Sequence, residues 1–176
     1  MHTQNLELVL HAPQHFLALI EGPECYEQSF GIPAAAGFRE MFVSGEVSPA
    51  WLAQLQVATA ADPWTFGFAI VHSAGRIVIG AASFKGPPGA DGVVEIAYGI
   101  VPAYRGQGFA TEAAQALIGF AFAIASGQVR VIRAHTLPEP NASTKVLAKC
   151  GFNRVAEIVD PEDGLVWRWD KHPEAV

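Results

Sequence analysis

Residues 99–112 read GIVPAYRGQGFATE. The apolar run that ends there, residues 93–101 (VVEIAYGIV), predicts a strand. Residues 111–125, rich in Ala and free of Pro, predict a long helix. Between them lie Gly106 and Gly108. The first-turn N–H groups of a helix have no partners within it, and its dipole is positive at that end. Two glycines remove the Cβ atoms that would keep an anion from such amides, and Arg105 adds a cation at the rim. The segment therefore suits a phosphate or pyrophosphate. A glycine-rich turn that holds no ligand fits the same residues, since short glycine motifs carry little information.

Working outward, residues 129–136 (VRVIRAHT) predict a strand after the helix. Strand, helix and strand make a right-handed unit with parallel pairing. Upstream, residues 64–72 and 76–84 read as a hairpin about Ser73-Ala74-Gly75, and residues 86–92 as a loop. The N-terminal part predicts a strand at 6–10, a helix at 13–22, and helical stretches at 38–42 and 49–61. Residues 23–36 show few periodic signals and three Pro or Gly breakers. Downstream, Asn141 is a good cap for a helix ending before Gly151. Residues 152–159 and 165–169 are the last strands, about the turn PEDG, and 171–176 a loose tail. The chain reads as one mixed α+β domain without repeats.

The 176 residues are 51% hydrophobic and 16% charged, enough for a folded core. Eleven Lys+Arg against 17 Asp+Glu give a net charge of -6, which argues against nucleic acid as a partner. The longest apolar run, residues 116–125, is half of the about 20 residues a membrane span needs. The start, MHTQNLELVL, lacks the features of a signal peptide. Cys25 and Cys150 have no paired spacing, so neither a disulfide scaffold nor a metal site is expected. The expectation is a cytoplasmic protein that touches no membrane; a homodimer is compatible with it.

Two nucleotide motifs fail. A phosphate-binding G-x-x-x-x-G-K-(S/T) loop needs a Lys after its last glycine, and Phe109 follows Gly108. The dinucleotide fingerprint G-x-G-x-x-G fails at Thr111, and the next strand carries no acid.

Arg105-x-x-Gly108-x-Ala110 resembles the (Q/R)-x-x-G-x-(G/A) signature of the GCN5-related N-acetyltransferase (GNAT) family, in its usual place between a strand and a long helix. Asn141-Ala-Ser143 with Val146-Leu147, then Lys149-Cys150-Gly151-Phe152, resembles a stretch of the ribosomal-protein (RimJ/RimL-like) branch. The likeness runs from Trp64 to Trp169. It implies a GNAT-like fold: a central, mostly antiparallel sheet with a splayed parallel strand pair, flanked by helices. It also implies one domain over 1–176, with 1–62 on the acceptor side, 64–170 as the acetyl-CoA-binding core and 171–176 as a tail.

The resemblance further implies a role for single residues. The pyrophosphate of acetyl-CoA would lie on the amides of Arg105, Gly106, Gln107, Gly108, Phe109 and Ala110, with Thr111 just inside the helix. The pantetheine arm would run beside Gly99, Ile100 and Val101. Asn141 and Ser143 match polar positions near the thioester; plain helix capping accounts for both as well. Glu95 matches the usual general base, and apolar Val94 and Ile96 would raise its pKa if it were buried among them; it reads equally as a solvated strand residue. His135 is a second base candidate or a structural histidine. Many members carry a tyrosine in the last helix to protonate the leaving thiolate, and residues 146–149 hold none; two readings stay open, Ser143 in its place or a thiolate that leaves without a dedicated acid. Cys150 reads as helix-end packing.

The implied reaction is direct transfer of acetyl to a primary amine, either a protein N-terminal α-amine or a small molecule. A non-catalytic acyl-CoA-binding module, or transfer of a longer acyl group such as succinyl, stays open. Trp51, Trp64, Phe66 and Trp167 are candidates for an apolar acceptor mouth or for core.

Overall fold

A computed structural model describes residues 1–43, 45, 47–124, 128–161 and 163–173. Seven strands form one sheet: β1 (Leu6–Leu10), β2 (Phe68–His72), β3 (Ile77–Phe84), β4 (Val93–Ile100), β5 (Val131–Thr136), β6 (Asn153–Asp160) and β7 (Gly164–Lys171). Their order is β1-β2-β3-β4-β5-β7-β6, antiparallel except between β4 and β5. Six helices accompany them: α1 (Pro13–Glu21), α2 (Pro23–Phe30), α3 (Pro49–Val57), α4 (Pro63–Phe66), α5 (Phe109–Ile124) and α6 (Ala142–Lys149). The expected mixed architecture, with one parallel pair at its centre, is what forms.

Strand alternation divides the core between two faces. On one face, Phe68 and Phe84 pack against Phe120 of α5, while Ala113, Ala114, Leu117 and Ala121 of α5 are fully buried. On the other, α1, α2 and the 3₁₀ turn Arg39–Met41 bring together Phe16, Tyr26, Phe30, Phe38 and Phe42. Fully buried His11 sits in that aromatic cluster, its Nε2 2.8 Å from Tyr26 Oη.

Several boundaries differ from expectation. Residues 23–36, which show few periodic signals, contain α2: Pro23 opens it and Gly31, at φ 80°, ends it. The same Pro and Gly that read as breakers are helix start and stop signals. The strand expected from Trp64 begins at Phe68, because Asp62 caps the single turn α4 and Gly67 leaves it at φ 62°. Residues 38–42 make only a 3₁₀ turn, and α3 stops at Val57. The helix after the glycine turn begins at Phe109, and the strand expected from 129 begins at Val131. Ala125, the expected end of α5, lies outside the described residues. Lys171, expected in the tail, closes β7 opposite Ile132. Among the described residues no helix is long and apolar enough to cross a membrane, and no cluster of His, Cys, Asp and Glu is placed to hold a metal. Cys25 and Cys150 are free.

Candidate active site

The parallel pair is short. β4 and β5 stay in register for three pairs only, Val93 with Val131, Val94 with Ile132 and Glu95 with Arg133. Beyond Glu95 they part. β4 continues beside β3 up to Ile100, and β5 continues beside β7 up to Thr136. The bidentate pair of Arg133 with Asp170, at 2.9 and 3.0 Å, holds β5 to β7 where the separation starts. Each strand thus keeps a partner on its far side, so the gap leaves only its facing edges unpaired.

Those edges can be read from the ladder. Lys85 N–H donates to Glu95 O and Val101 N–H to Ile79 O, so the odd-numbered peptides of β4 face β3. By antiparallel alternation, the peptides of Ile96, Tyr98 and Ile100 face the gap. The carbonyl of Ile100 is taken by Arg105 Nε at 2.9 Å, which hooks the glycine turn back onto the strand end. The arm-pairing expectation is thereby adjusted. Ile100 reaches the cleft, whereas Val101 is fully buried and its carbonyl accepts from Tyr104 N–H. Tyr98, which sequence reasoning missed, presents a further peptide to the same cleft.

Two connected clefts fill the gap. One, about 280 Å³, runs from Arg105 and Ala110 past Ile100 to Ala142 and Ser143. The other, about 220 Å³, holds Glu95, His135, Lys85, Tyr98 and again Ser143. At the first cleft's mouth, Gly106 and Gly108 have φ 76° and 89°. A Cβ on either would meet no protein atom within 4 Å, so both backbones face open space outside the fold. The amides of Gln107, Gly108, Phe109, Ala110 and Thr111 belong to this turn and the first turn of α5. The geometry fits a pyrophosphate, with the strand edge available to an amide-bearing arm.

Glu95 Oε1 lies 2.8 Å from Lys85 Nζ and 3.1 Å from His135 Nδ1. The expectation of apolar surroundings fails here, because Val94 and Ile96 point to the opposite face of β4. The hydrogen bond to Glu95 is the main cause holding the Lys85 ammonium above its ordinary pKa. Among the described residues, Nε2 of His135 is buried without a partner. Lys85 was also missed, although the short β3–β4 connection sets it directly opposite Glu95.

Ser143, exposed on α6, lines both clefts. Asn141 caps α6: Oδ1 accepts from Thr144 N–H at 3.0 Å and Nδ2 donates to Glu139 O at 3.1 Å, which leaves one Nδ2 hydrogen for another partner. Leu147 of α6 lines the same cleft as Tyr98. The Tyr98 hydroxyl is buried with no hydrogen-bond partner among the described residues. Burial, and secondarily Cys150, push its pKa far above the ordinary phenol value, so it remains a donor. Cys150 packs at the end of α6, Sγ 3.8 Å from Thr111 O, and burial raises its thiol pKa.

The candidate acceptor aromatics separate. Trp51 and Phe66 line an open pocket of about 290 Å³ with Phe16, Phe42, Phe84 and Met41. Trp64 packs in the core against Phe84 and Phe120. Trp167 lies away from the cleft, on the outer hairpin between Arg154 and Glu157.

The acetyltransferase (GNAT) domain family matches residues 18–153. No curated protein sequence matches the chain. Among solved structures, it resembles the ribosomal-protein-S5-alanine acetyltransferase of Vibrio fischeri, at 16% identity over 99% of this chain and 96% of that one, TM-score 0.66. It also resembles a GNAT-family acetyltransferase of Bacillus anthracis, at 18% identity over 98% and 97%, TM-score 0.62. A third is RimL, a ribosomal L7/L12 α-N-protein acetyltransferase in complex with coenzyme A, at 15% identity over 97% and 95%, TM-score 0.63.

Proposed function

This chain belongs to the acetyltransferase (GNAT) family, and we propose that it moves an acetyl group from acetyl-CoA directly to a primary amine, that of a protein N-terminus or of a small molecule. The observation that carries the proposal is the gap between β4 and β5, which joins a glycine cradle on one side to the carboxylate of Glu95 on the other. Bound there, acetyl-CoA supplies an acyl carbon activated as a thioester. Arg105 and the amides of residues 106–111 hold its pyrophosphate. The peptide groups of Tyr98 and Ile100 line the path of its arm, and Asn141 caps the helix whose first residues, Ala142 and Ser143, close that path.

Glu95 takes the proton of the acceptor ammonium, directly or through one water. Lys85 and His135 hold the carboxylate in place for that step. The freed amine forms its bond to the acyl carbon as the carbon–sulfur bond breaks, and the electron pair of that bond leaves on sulfur. Ser143 Oγ and Tyr98 Oη, both at the junction of the two clefts, are the donors for that sulfur. Residues 1–62 shape the acceptor side and 64–170 the cofactor core of one domain. Two free cysteines are in keeping with a reducing, cytoplasmic compartment.

The test is thiol release from acetyl-CoA with a panel of amines and N-terminal peptides, read with mass spectrometry of the acceptor. Thiol release matched by acetylated amine is expected. Tight acetyl-CoA binding with no acceptor acetylated would leave a binding module in place of a transferase.

A further inference from the structure

The aromatic pocket lies on the same sheet face as Glu95. Ser83, which lines it, stands directly opposite Ala97, which lines the Glu95 cleft. In an antiparallel pair, Ser83 and Glu95 are then diagonal neighbours on one face, about 7–8 Å apart. Met41, another wall of the pocket, comes so close over Gly99 that a Cβ there would meet its Cε at 2.6 Å. The pocket is therefore next to the position where an acceptor nitrogen must meet Glu95, on the side away from α6.

Its chemistry is one-sided. The rings of Phe16, Phe42, Trp51 and Phe66 line it, and among the described residues no charged side chain does. The rings come from three separate elements, α1, α3 and α4, and from the segment after Arg39–Met41. Phe16 holds Phe42, Trp51 and Phe66 in place through ring contacts at 5.3, 6.0 and 6.2 Å between centroids. An apolar cavity of about 150 Å³ is enough to hold benzene, so about 290 Å³ takes one ring or a branched aliphatic group with its linker. Among the described residues that line it, none offers a carboxylate to a second ammonium.

Resting on the acetyltransferase assignment above, we infer that the acceptor carries an aromatic or bulky aliphatic group on the carbon chain next to its amine, seated among Phe16, Trp51 and Phe66 while the amine faces Glu95. A polyamine, cationic along its length, is the wrong class.

The experiment compares acetylation of phenylalaninamide, leucinamide, glycinamide and spermidine by the full chain with acetyl-CoA. One apolar group in a fitted pocket discriminates by about 10- to 200-fold, so kcat/KM for phenylalaninamide or leucinamide should exceed that for glycinamide at least tenfold, with spermidine lowest. Trp51→Ala, and separately Ser83→Leu to fill the pocket, should each cut the phenylalaninamide-to-glycinamide ratio at least tenfold. A flat panel, a preference for spermidine, or variants that leave the ratio unchanged would overturn the inference while the transferase assignment stands. If no amine is acetylated, that assignment fails by itself. The subsite is then decided by ligand-observed NMR with CoA present: phenylalaninamide binding that Trp51→Ala abolishes supports it, and no binding overturns it.

Discussion

Nδ1 of His135 stands 3.1 Å from Oε1 of Glu95, across the strand pair at the point where the pair opens. Glu95 is the last residue of β4 in register with β5, and His135 lies two residues beyond its partner Arg133. Lys85 reaches the same oxygen from the end of β3. The carboxylate is thus held from both sides of the gap, and its position depends on the splay itself.

Replacing Glu95 by Gln keeps the shape and removes the base. We expect kcat to fall about hundredfold or more, with acetyl-CoA affinity within about threefold of wild type. The loss should grow as pH falls, where neutral amine is scarce. Steady-state rates between pH 6 and 9, beside calorimetric titration of the cofactor, measure both. A loss under threefold at every pH would remove Glu95 from proton transfer.

Gly108→Val tests the cradle. A β-branched residue at φ 89° is strained by about 1–2 kcal/mol, yet its Cβ would meet no neighbouring protein atom within 4 Å. The fold should survive with a modestly lower Tm, while the side chain fills the space proposed for the pyrophosphate. CoA affinity is expected to drop at least tenfold, by calorimetry. Unchanged affinity would move the cofactor elsewhere.

Tyr98→Phe removes a buried donor that no described residue satisfies. An unpaired buried polar group costs about 1–3 kcal/mol, so the variant should be as stable as wild type or more so. If the hydroxyl serves the sulfur, kcat should fall about 10- to 100-fold. The thiol of bound CoA, followed by thiolate absorbance, should also titrate about one pH unit higher in the variant. Both readouts at wild-type values would make Tyr98 a packing residue.

The parts of this architecture that rest on local pattern were legible in the sequence. The strand, glycine turn and α5 declare themselves by period and by Gly106 and Gly108. The splay was legible only through the family resemblance, because it is decided by how far β4 and β5 each prefer a third strand, and no single segment encodes that. Tyr98 went unseen for the same reason: its hydroxyl matters only once Leu147 of α6 is known to lie beside it. The expected apolar setting of Glu95 shows the opposite error. Neighbours in sequence along a strand lie on opposite faces, so Lys85 and His135, not Val94 and Ile96, are its surroundings.

His11 makes the fold acid-sensitive. Burial, and secondarily nearby His15, lower its pKa from 6.5 to about 3 in the folded chain. Above pH 6.5 the imidazole is neutral whether folded or not, and its contribution to stability is complete. As pH falls from 6.5 toward 3, the unfolded chain takes the proton and the folded chain cannot, so the folding equilibrium should worsen by up to tenfold per pH unit across that window. His11→Gln keeps a polar partner for Tyr26 Oη, 2.8 Å away in the wild type, and has no proton to gain. Urea melts from pH 7.5 to 4 should therefore show the wild type losing stability more steeply than the variant, with the two curves parallel above pH 7. Equal slopes below pH 6 would mean that His11 is protonated in the folded chain and that the aromatic cluster opens to admit water.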